Sequence, residues 1–238
     1  MNRLRSAVVL AGLTLTLLPH PAFAVAIGLT DTFEDGTTQG WIANLLNMGG
    51  HPSPPENVST GGPSGAGDNY LLITAVGGAA NGSRLTALNG TQWAGDYLAA
   101  GITAISLDAI NLGTSDLSLR LAFEDPTVGP PENIAFSSDA LFLPAGGGWT
   151  SLVFPIDPGS LTAGLGNVLD ALANTTIIRL YHSPAANFPN PFSPIPSVVA
   201  QVGVDNIRAV PEPATMLLLG GALAGLAARR RRRHHVPS

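Results

Sequence analysis

The chain is 238 residues long, with 45% hydrophobic and 11% charged residues, 28 glycines, 20 prolines and no cysteine. Seven of its eleven arginines lie at the two ends, so the region from Val25 to Pro211 has fifteen acidic residues against four arginines and a net charge of −11. A surface this acidic repels nucleic acid, and the absence of cysteine excludes stabilisation by disulfides.

The N-terminus has the three parts of a secretory signal peptide. Two arginines precede an apolar run at residues 7–18, and two prolines then break that run. Ala22 and Ala24 follow, and small residues at these positions are what signal peptidase accepts. We predict that signal peptidase cleaves after Ala24, so that residues 1–24 are removed and the mature chain starts at Val25.

Short apolar runs separated by Gly, Pro, Asn and Ser predict β-strands across the mature chain. Tyr70–Val76 is nearly continuous and predicts a strand that is buried on both faces. Residues 105–109 and 117–123 alternate with a period of two, which predicts strands with one buried face. The remaining runs predict strands at residues 149–154, 177–181 and 202–207.

Only one segment has helical spacing. It contains Leu165, Val168, Leu169 and Leu172, which predict one short helix. About eight short strands with so little helix predict an all-β fold, a two-sheet β-sandwich of the jelly-roll type, over residues 25–209.

Short motifs open and close this region. Phe33-Glu34-Asp35-Gly36 with Trp41 stands near its beginning, and Val204-Asp205-Asn206-Ile207 stands at its end. This pairing resembles the jelly-roll carbohydrate-binding modules and related galactose-binding-like domains. The resemblance implies that the first and last strands lie side by side and share a structural calcium ion.

Calcium takes six to eight hard oxygen ligands, which carboxylates and main-chain carbonyls of two adjacent chain ends can provide. The resemblance assigns Glu34 and Asp205 as metal ligands, with Asp31 and Asp35 as nearby alternatives. The other interpretation is that the motifs are only a turn and a strand end, where Asp, Asn and Gly are favoured.

Sugar binding requires exposed aromatic faces beside polar groups. Trp41 and Trp149 lie in strand-like runs and are predicted to pack inside the domain. Trp93 and Tyr97 lie in a loop-like segment at residues 89–97 and are predicted to be exposed, ligand-binding residues. The alternative is a loop that its own aromatic residues hold in place. Tyr70 and Tyr181 complete the set of candidate rings.

The sequence has no HExxH motif, no Gly-x-Ser-x-Gly motif and no phosphate-binding loop. Neither His51 nor His182 stands beside an acid at metal-ligand spacing. Glu124 and Asp125, near Glu132, resemble a glycosidase pair only in residue type, and their proline-rich surroundings predict solvated loop residues. We therefore predict no catalytic residues and no enzymatic activity.

The C-terminal segment at residues 210–233 has three parts. Pro211, Glu212 and Pro213 precede an apolar run at residues 214–228, and an arginine cluster at residues 229–233 precedes a short cytoplasmic tail, 234–238. This order resembles the PEP-CTERM sorting tail of Gram-negative bacteria. The resemblance implies that an exosortase cuts near the Pro-Glu-Pro triplet while the apolar run is held in the inner membrane.

The apolar run reaches roughly 22 Å as a helix, short of a hydrocarbon core of about 30 Å, which favours transient insertion. The alternative is a lasting single-helix anchor whose arginines stay cytoplasmic by the positive-inside rule. Both predict an exported protein that is first anchored in the inner membrane. Its mature form is then either a matrix protein of the cell surface, exopolysaccharide or biofilm, or a carbohydrate-binding module with a defined glycan site.

Overall fold

The computed structural model describes residues 25–43, 51–79, 82–125, 131–188 and 196–211. The predicted signal peptide, including Ala22 and Ala24, and the tail from Glu212 onward lie outside these ranges. Within these ranges no helix has the length and apolar character needed to cross a membrane.

The described residues form twelve strands, one 3-10 helix at Pro158–Ser160 and one α-helix, α1, at Val168–Ala173. The strands are β1 Thr30–Asp31, β2 Glu56–Val58, β3 Tyr70–Val76, β4 Thr86–Asn89, β5 Ile102–Asn111, β6 Leu117–Asp125, β7 Asn133–Ser137, β8 Leu141–Leu143, β9 Thr150–Pro155, β10 Leu161–Leu165, β11 Ile177–His182 and β12 Val199–Pro211.

The strands pair into two antiparallel sheets. Sheet A has the order β2-β3-β12-β5-β9, with β1 beside β12. Sheet B has the order β10-β7-β6-β11-β4, with β8 beside β6. The apolar core lies between the sheets, where alternate residues such as Leu121 and Phe123 of β6 and Ile105 and Leu107 of β5 are buried. The prediction of a two-sheet β-sandwich with one short helix is confirmed.

Asn167 caps the N-terminus of helix α1. The Asn167 side chain accepts a hydrogen bond from the Asp170 amide at 2.8 Å, which satisfies a free donor of the first turn. Leu172 is buried, whereas Leu169 is exposed. Leu165 belongs to β10 and not to the helix, so the predicted helical pattern holds for its last three residues only.

The prediction that β3 is buried on both faces is wrong. Leu71, Ile73 and Ala75 are buried, but Leu72 and Thr74, which alternate with them, are half-buried. The described side chains at these alternating positions keep part of their surface exposed, and an antiparallel sheet tolerates such a partly solvated face.

Sheet B, in contrast, is covered on its outer face as well. A second apolar cluster lies there, formed by Ala122, Ile134, Phe136, Tyr181 and Phe188. Ala122 stands between Leu121 and Phe123 in β6, so its side chain points away from the main core. This cluster explains why β6 is buried along almost its whole length.

The last strand, β12, is the centre of sheet A. It pairs with β3 on one side and β5 on the other, and β1 lies beside its second half, with Asp31 opposite Ile207. The first and last strands of the domain are therefore neighbours, as the resemblance implied. The strand runs to Pro211, which is buried and lies opposite Ile102, two residues beyond the predicted domain boundary at residue 209.

Candidate functional site

The junction of the first and last strands contains an acidic site, formed by Glu34, Asp68, Asp108 and Asp205. Asp205 and Asp108 lie opposite each other on the adjacent strands β12 and β5. The Asn206 side-chain amide donates to both carboxylates, at 3.2 Å and 3.0 Å respectively. The register of β12 shifts directly after Asp205.

The backbone is bent on both sides of this junction. Phe33, the residue before Glu34, has φ +59°, and Asn206, the residue after Asp205, has φ +51°. The left-handed region is costly for a bulky residue such as Phe, so Phe33 is held there by its surroundings. The Phe33 carbonyl accepts hydrogen bonds from the side-chain amides of Asn57 at 2.7 Å and Asn69 at 3.2 Å.

Asp205 is the group whose charge the fold disfavours most clearly. Its side chain is buried, with 1% of its surface exposed. Burial is the main cause that raises the pKa of Asp205 from 3.8 to about 7, and the nearby carboxylates of Asp68, Asp108 and Glu34 contribute to the same rise. The backbone amide of Asn206 donates a 2.7 Å hydrogen bond to the Asp205 carboxylate, and this contact opposes the rise in pKa.

The predicted ligands Glu34 and Asp205 thus belong to the same acidic site, close enough for their charges to interact. Glu34 accepts a hydrogen bond from the Asn69 amide at 2.9 Å. In the part of the chain that the structure describes, no three acidic or histidine side chains converge closely enough to hold a metal ion by themselves. A cation here requires main-chain carbonyls or water as additional ligands.

The two alternative ligands have other partners. Asp31 is buried and accepts hydrogen bonds from both indoles of Trp41 and Trp93. Burial raises the pKa of Asp31 above its usual value, and the hydrogen bonds from these donors offset only part of that rise. Asp35 is exposed, and its pKa is lowered because the backbone amide and hydroxyl of Thr37 donate to its carboxylate.

The prediction that Trp93 and Tyr97 are exposed is wrong. Both side chains are completely buried. Trp93 is held by its hydrogen bond to Asp31, and the Tyr97 hydroxyl donates to the Trp93 carbonyl at 2.8 Å. The Tyr97 ring packs edge to face against Phe123, with centroids 5.1 Å apart. A buried ring presents no face to a sugar, so neither residue forms a binding platform.

A different aromatic pair reaches the surface. Tyr70 and Trp149 are half-buried and pack edge to face, with centroids 5.4 Å apart. Trp41 is buried as predicted, but the prediction that Trp149 is in the core is wrong because it precedes β9 at the edge of sheet A. The Tyr70 ring lies over Gly203 of β12, where an added Cβ would come within 3.0 Å of it.

The prediction that Glu124 is a solvated loop residue is also wrong. Glu124 is buried in β6 and forms an ion pair with Arg179 of β11, with 2.7 Å between Oε1 and Nε. The Arg179 guanidinium lies 5.7 Å from the centre of the Phe188 ring. Both side chains belong to the covered outer face of sheet B, and the pair joins two neighbouring strands.

Comparison with family models identifies residues 209–233 as a PEP-CTERM protein-sorting motif, and this motif marks an exported protein that is sorted to the cell envelope. A comparison with curated proteins finds no match.

Solved structures share the fold at low sequence identity. An exo-beta-agarase aligns with a TM-score of 0.53 and 15% identity over 79% of this chain and 26% of the agarase chain. The chain therefore spans about a quarter of that enzyme. The neighbours include a family 11 carbohydrate-binding module from Clostridium thermocellum, solved with a beta-1,3-1,4-mixed-linked tetrasaccharide. It has a TM-score of 0.47 and 14% identity over 78% of this chain and 97% of the module.

Proposed function

We propose that this protein is an exported, non-catalytic surface protein that is delivered by its PEP-CTERM tail and associates with exopolysaccharide or biofilm. The observation that carries the proposal is the sorting motif at residues 209–233, attached to a β-sandwich domain whose fold is similar to part of an exo-beta-agarase. In this scheme signal peptidase removes residues 1–24, and an exosortase cuts near Pro211, Glu212 and Pro213.

The insertion of residues 214–228 fixes the direction of the tail. Five arginines at residues 229–233 cannot cross the hydrocarbon core at an acceptable free energy, so they stay on the cytoplasmic side. The Pro-Glu-Pro triplet is then on the periplasmic side, where a membrane peptidase can reach it. The proline rings also disfavour continuation of a helix through the triplet.

Processing is tested by replacing residues 211–213 with three alanines in cells that express the wild-type peptidase. We expect a longer form that stays in the membrane fraction, and the same form in cells that lack the peptidase. Intact-mass spectrometry of the wild-type protein should show loss of residues 229–233. A wild-type protein that retains this arginine cluster would establish the lasting anchor instead.

A structural calcium ion at the acidic site is part of the proposal. Its support is the buried Asp205 carboxylate, which has three acidic neighbours and whose hydrogen bonds in the described residues come from Asn206 alone. Glu34 and Asp205 would hold the ion together with main-chain carbonyls. When bound, calcium would neutralise the charge of these carboxylates and join the first strand to the last.

Carbohydrate binding by a defined site is the second candidate, and the half-exposed pair of Tyr70 and Trp149 favours it. Two rings on the outer face of sheet A, with the acidic site nearby on β5 and β12, combine an apolar surface with hydrogen-bond acceptors. A glycan array with residues 25–211 tests this function. We expect binding that Trp149→Ala abolishes, whereas Phe142→Ala, at an aromatic residue that is 61% exposed on β8, leaves it unchanged.

A further inference from the structure

The end of the domain from which the sorting tail leaves is firmly held. The last residues of β12 pair with β5, with Val210 opposite Ala104 and Pro211 opposite Ile102. Ala209 is bound on its other side as well, because its carbonyl accepts from the Gly28 amide and its amide donates to the Leu29 carbonyl, both at 3.0 Å. Pro211 is buried. The fold therefore continues up to the first residue of the Pro-Glu-Pro triplet.

Very little chain separates this end from the apolar run. Only Glu212 and Pro213 lie between Pro211 and Ala214. Three residue steps span at most about 10 Å when fully extended. Each headgroup layer of a bilayer is itself roughly 5 to 8 Å thick. The domain cannot stand clear of the headgroups while residues 214–228 are inserted.

Two large apolar side chains are exposed near this exit, next to the exposed acid Asp96. Ile27 is 46% exposed and directly precedes Gly28, which bonds to Ala209. Leu98 is 41% exposed and lies in the turn that leads into β5, where the Gly101 amide donates to its carbonyl. We name this end of the domain, formed by exposed Ile27 and Leu98 beside the buried Ile102–Pro211 pair, the exit end.

We propose that in the uncleaved precursor the exit end lies directly against the phospholipid headgroups of the inner membrane. This inference rests on the proposed function, because it requires that residues 214–228 are inserted. Glu212 and Pro213 form a tether that is too short to hold the domain away from the bilayer surface. Exposed Ile27 and Leu98 suit the apolar part of that interface, which a uniformly charged end would avoid.

The natural absence of cysteine makes a single-label experiment direct. The full-length precursor is prepared as Leu98→Cys and, separately, as Val199→Cys, each carrying a fluorophore. Val199 is 65% exposed and begins β12 at the opposite end of the strand from Pro211, at most about 40 Å away at ~3.3 Å per residue. Both proteins are reconstituted in vesicles of phosphatidylethanolamine and phosphatidylglycerol that contain a headgroup-attached quencher.

We expect the label at position 98 to be quenched several-fold more strongly than the label at position 199. A twelve-residue Gly-Ser spacer between Pro213 and Ala214 should remove this difference. Equal quenching at both positions in the unmodified precursor would overturn the inference, and strong quenching at position 98 despite the spacer would overturn the tether as its cause. A precursor that does not float with the vesicles at all would instead refute membrane insertion, and with it the proposed sorting function.

Discussion

The indole Nε1 of Trp93 donates a 2.6 Å hydrogen bond to a carboxylate oxygen of Asp31, which lies 62 positions earlier in the chain. The same oxygen accepts the indole of Trp41 at 2.8 Å, and the Gln92 amide reaches both carboxylate oxygens at 3.1 Å. One buried carboxylate thus joins the opening strand to two separate loops.

Replacing Asp31 with alanine should destabilise the domain strongly. Two buried indole N–H groups would lose their acceptor, and each unsatisfied buried donor costs about 1–3 kcal/mol. We expect a loss of roughly 3 kcal/mol in the free energy of unfolding, measured by urea denaturation of residues 25–211. Asp139→Ala, at an exposed acid, is the control and should change it by less than about 0.5 kcal/mol. Equal effects of both substitutions would contradict the role of Asp31.

The stability of the domain should depend on pH through Asp205. Because the folded-state pKa is raised from 3.8 to about 7, the folded protein keeps a proton that the unfolded chain releases between these values. This contribution is complete below about pH 4 and is lost as the pH rises through about 7. Three pKa units correspond to about 4 kcal/mol, which is the upper limit of the expected fall between pH 4 and pH 8 in chelator.

Calcium should oppose that loss above pH 7, where Asp205 is ionised. At a hundredfold excess over its Kd the ion would stabilise the domain by about 2.7 kcal/mol. Asp205→Asn should remove both the pH dependence and the response to calcium, whereas Asp139→Asn should keep both. An unfolding midpoint at pH 8 that is the same in calcium and in chelator would refute the metal site.

The ion pair between Glu124 and Arg179 should show energetic coupling. Both side chains are largely buried, with 7% and 17% of their surfaces exposed, and a buried charge that loses its partner is left without compensation. We expect Glu124→Gln and Arg179→Met each to cost about 2 kcal/mol, and the double variant to cost at least 1 kcal/mol less than their sum. Asp125→Asn in the same strand is the control. Strictly additive effects in urea unfolding would show that the pair is not coupled.

Processing of the tail should require the end of β12 to leave sheet A. A peptidase that holds its substrate as an extended strand needs unpaired residues beside the cut, and Val210 and Pro211 are paired with β5. Ala104→Cys with Val210→Cys places two cysteines opposite each other, at a distance suitable for a disulfide. We expect the oxidised precursor to be processed much more slowly than the reduced one in a membrane assay.

A second disulfide provides the matched control for this experiment. Thr74 and Gln201 are also opposite each other in sheet A, but at the far end of β12. Thr74→Cys with Gln201→Cys should leave processing unchanged in both redox states. If the disulfide between positions 104 and 210 has no effect either, the cut lies where the strand need not open.

The sequence located the long strands because their pattern is local, although only residues 202–207 of the thirteen-residue β12 were predicted and β4 and β7 were missed. Tyr70–Val76 is recovered with its bounds, and the alternating run from Leu117 to Phe123 lies within β6. The three-residue strands β2 and β8 were missed, since a segment of that length is defined by its partner in the sheet and not by its own periodicity. Leu161–Leu165 was missed because it is exposed along most of its length at a sheet edge.

The predictions of site residues also failed where a residue's surroundings depend on contacts that are distant in sequence. The placement of Asp205 beside the opening strand was implied by the family resemblance that the motifs at the two ends of the domain carry. The burial of Trp93 depends on Asp31, which is distant in sequence, and the turn residues around Trp93 gave no sign of it. The ion pair between Glu124 and Arg179 likewise depends on the pairing of β6 with β11, which no local pattern indicates.

The central position of β12 has a consequence for the time at which the domain folds. A polypeptide emerges from the export channel with its N-terminus first, so β12 is the last strand to arrive. Until it does, β1, β3 and β5 lack their shared neighbour, and the pairings that complete sheet A span most of the chain, which makes folding slow. We therefore expect fragments that end before Val199 to remain unfolded. Folding of the domain can finish only when the apolar run has already entered the channel behind it.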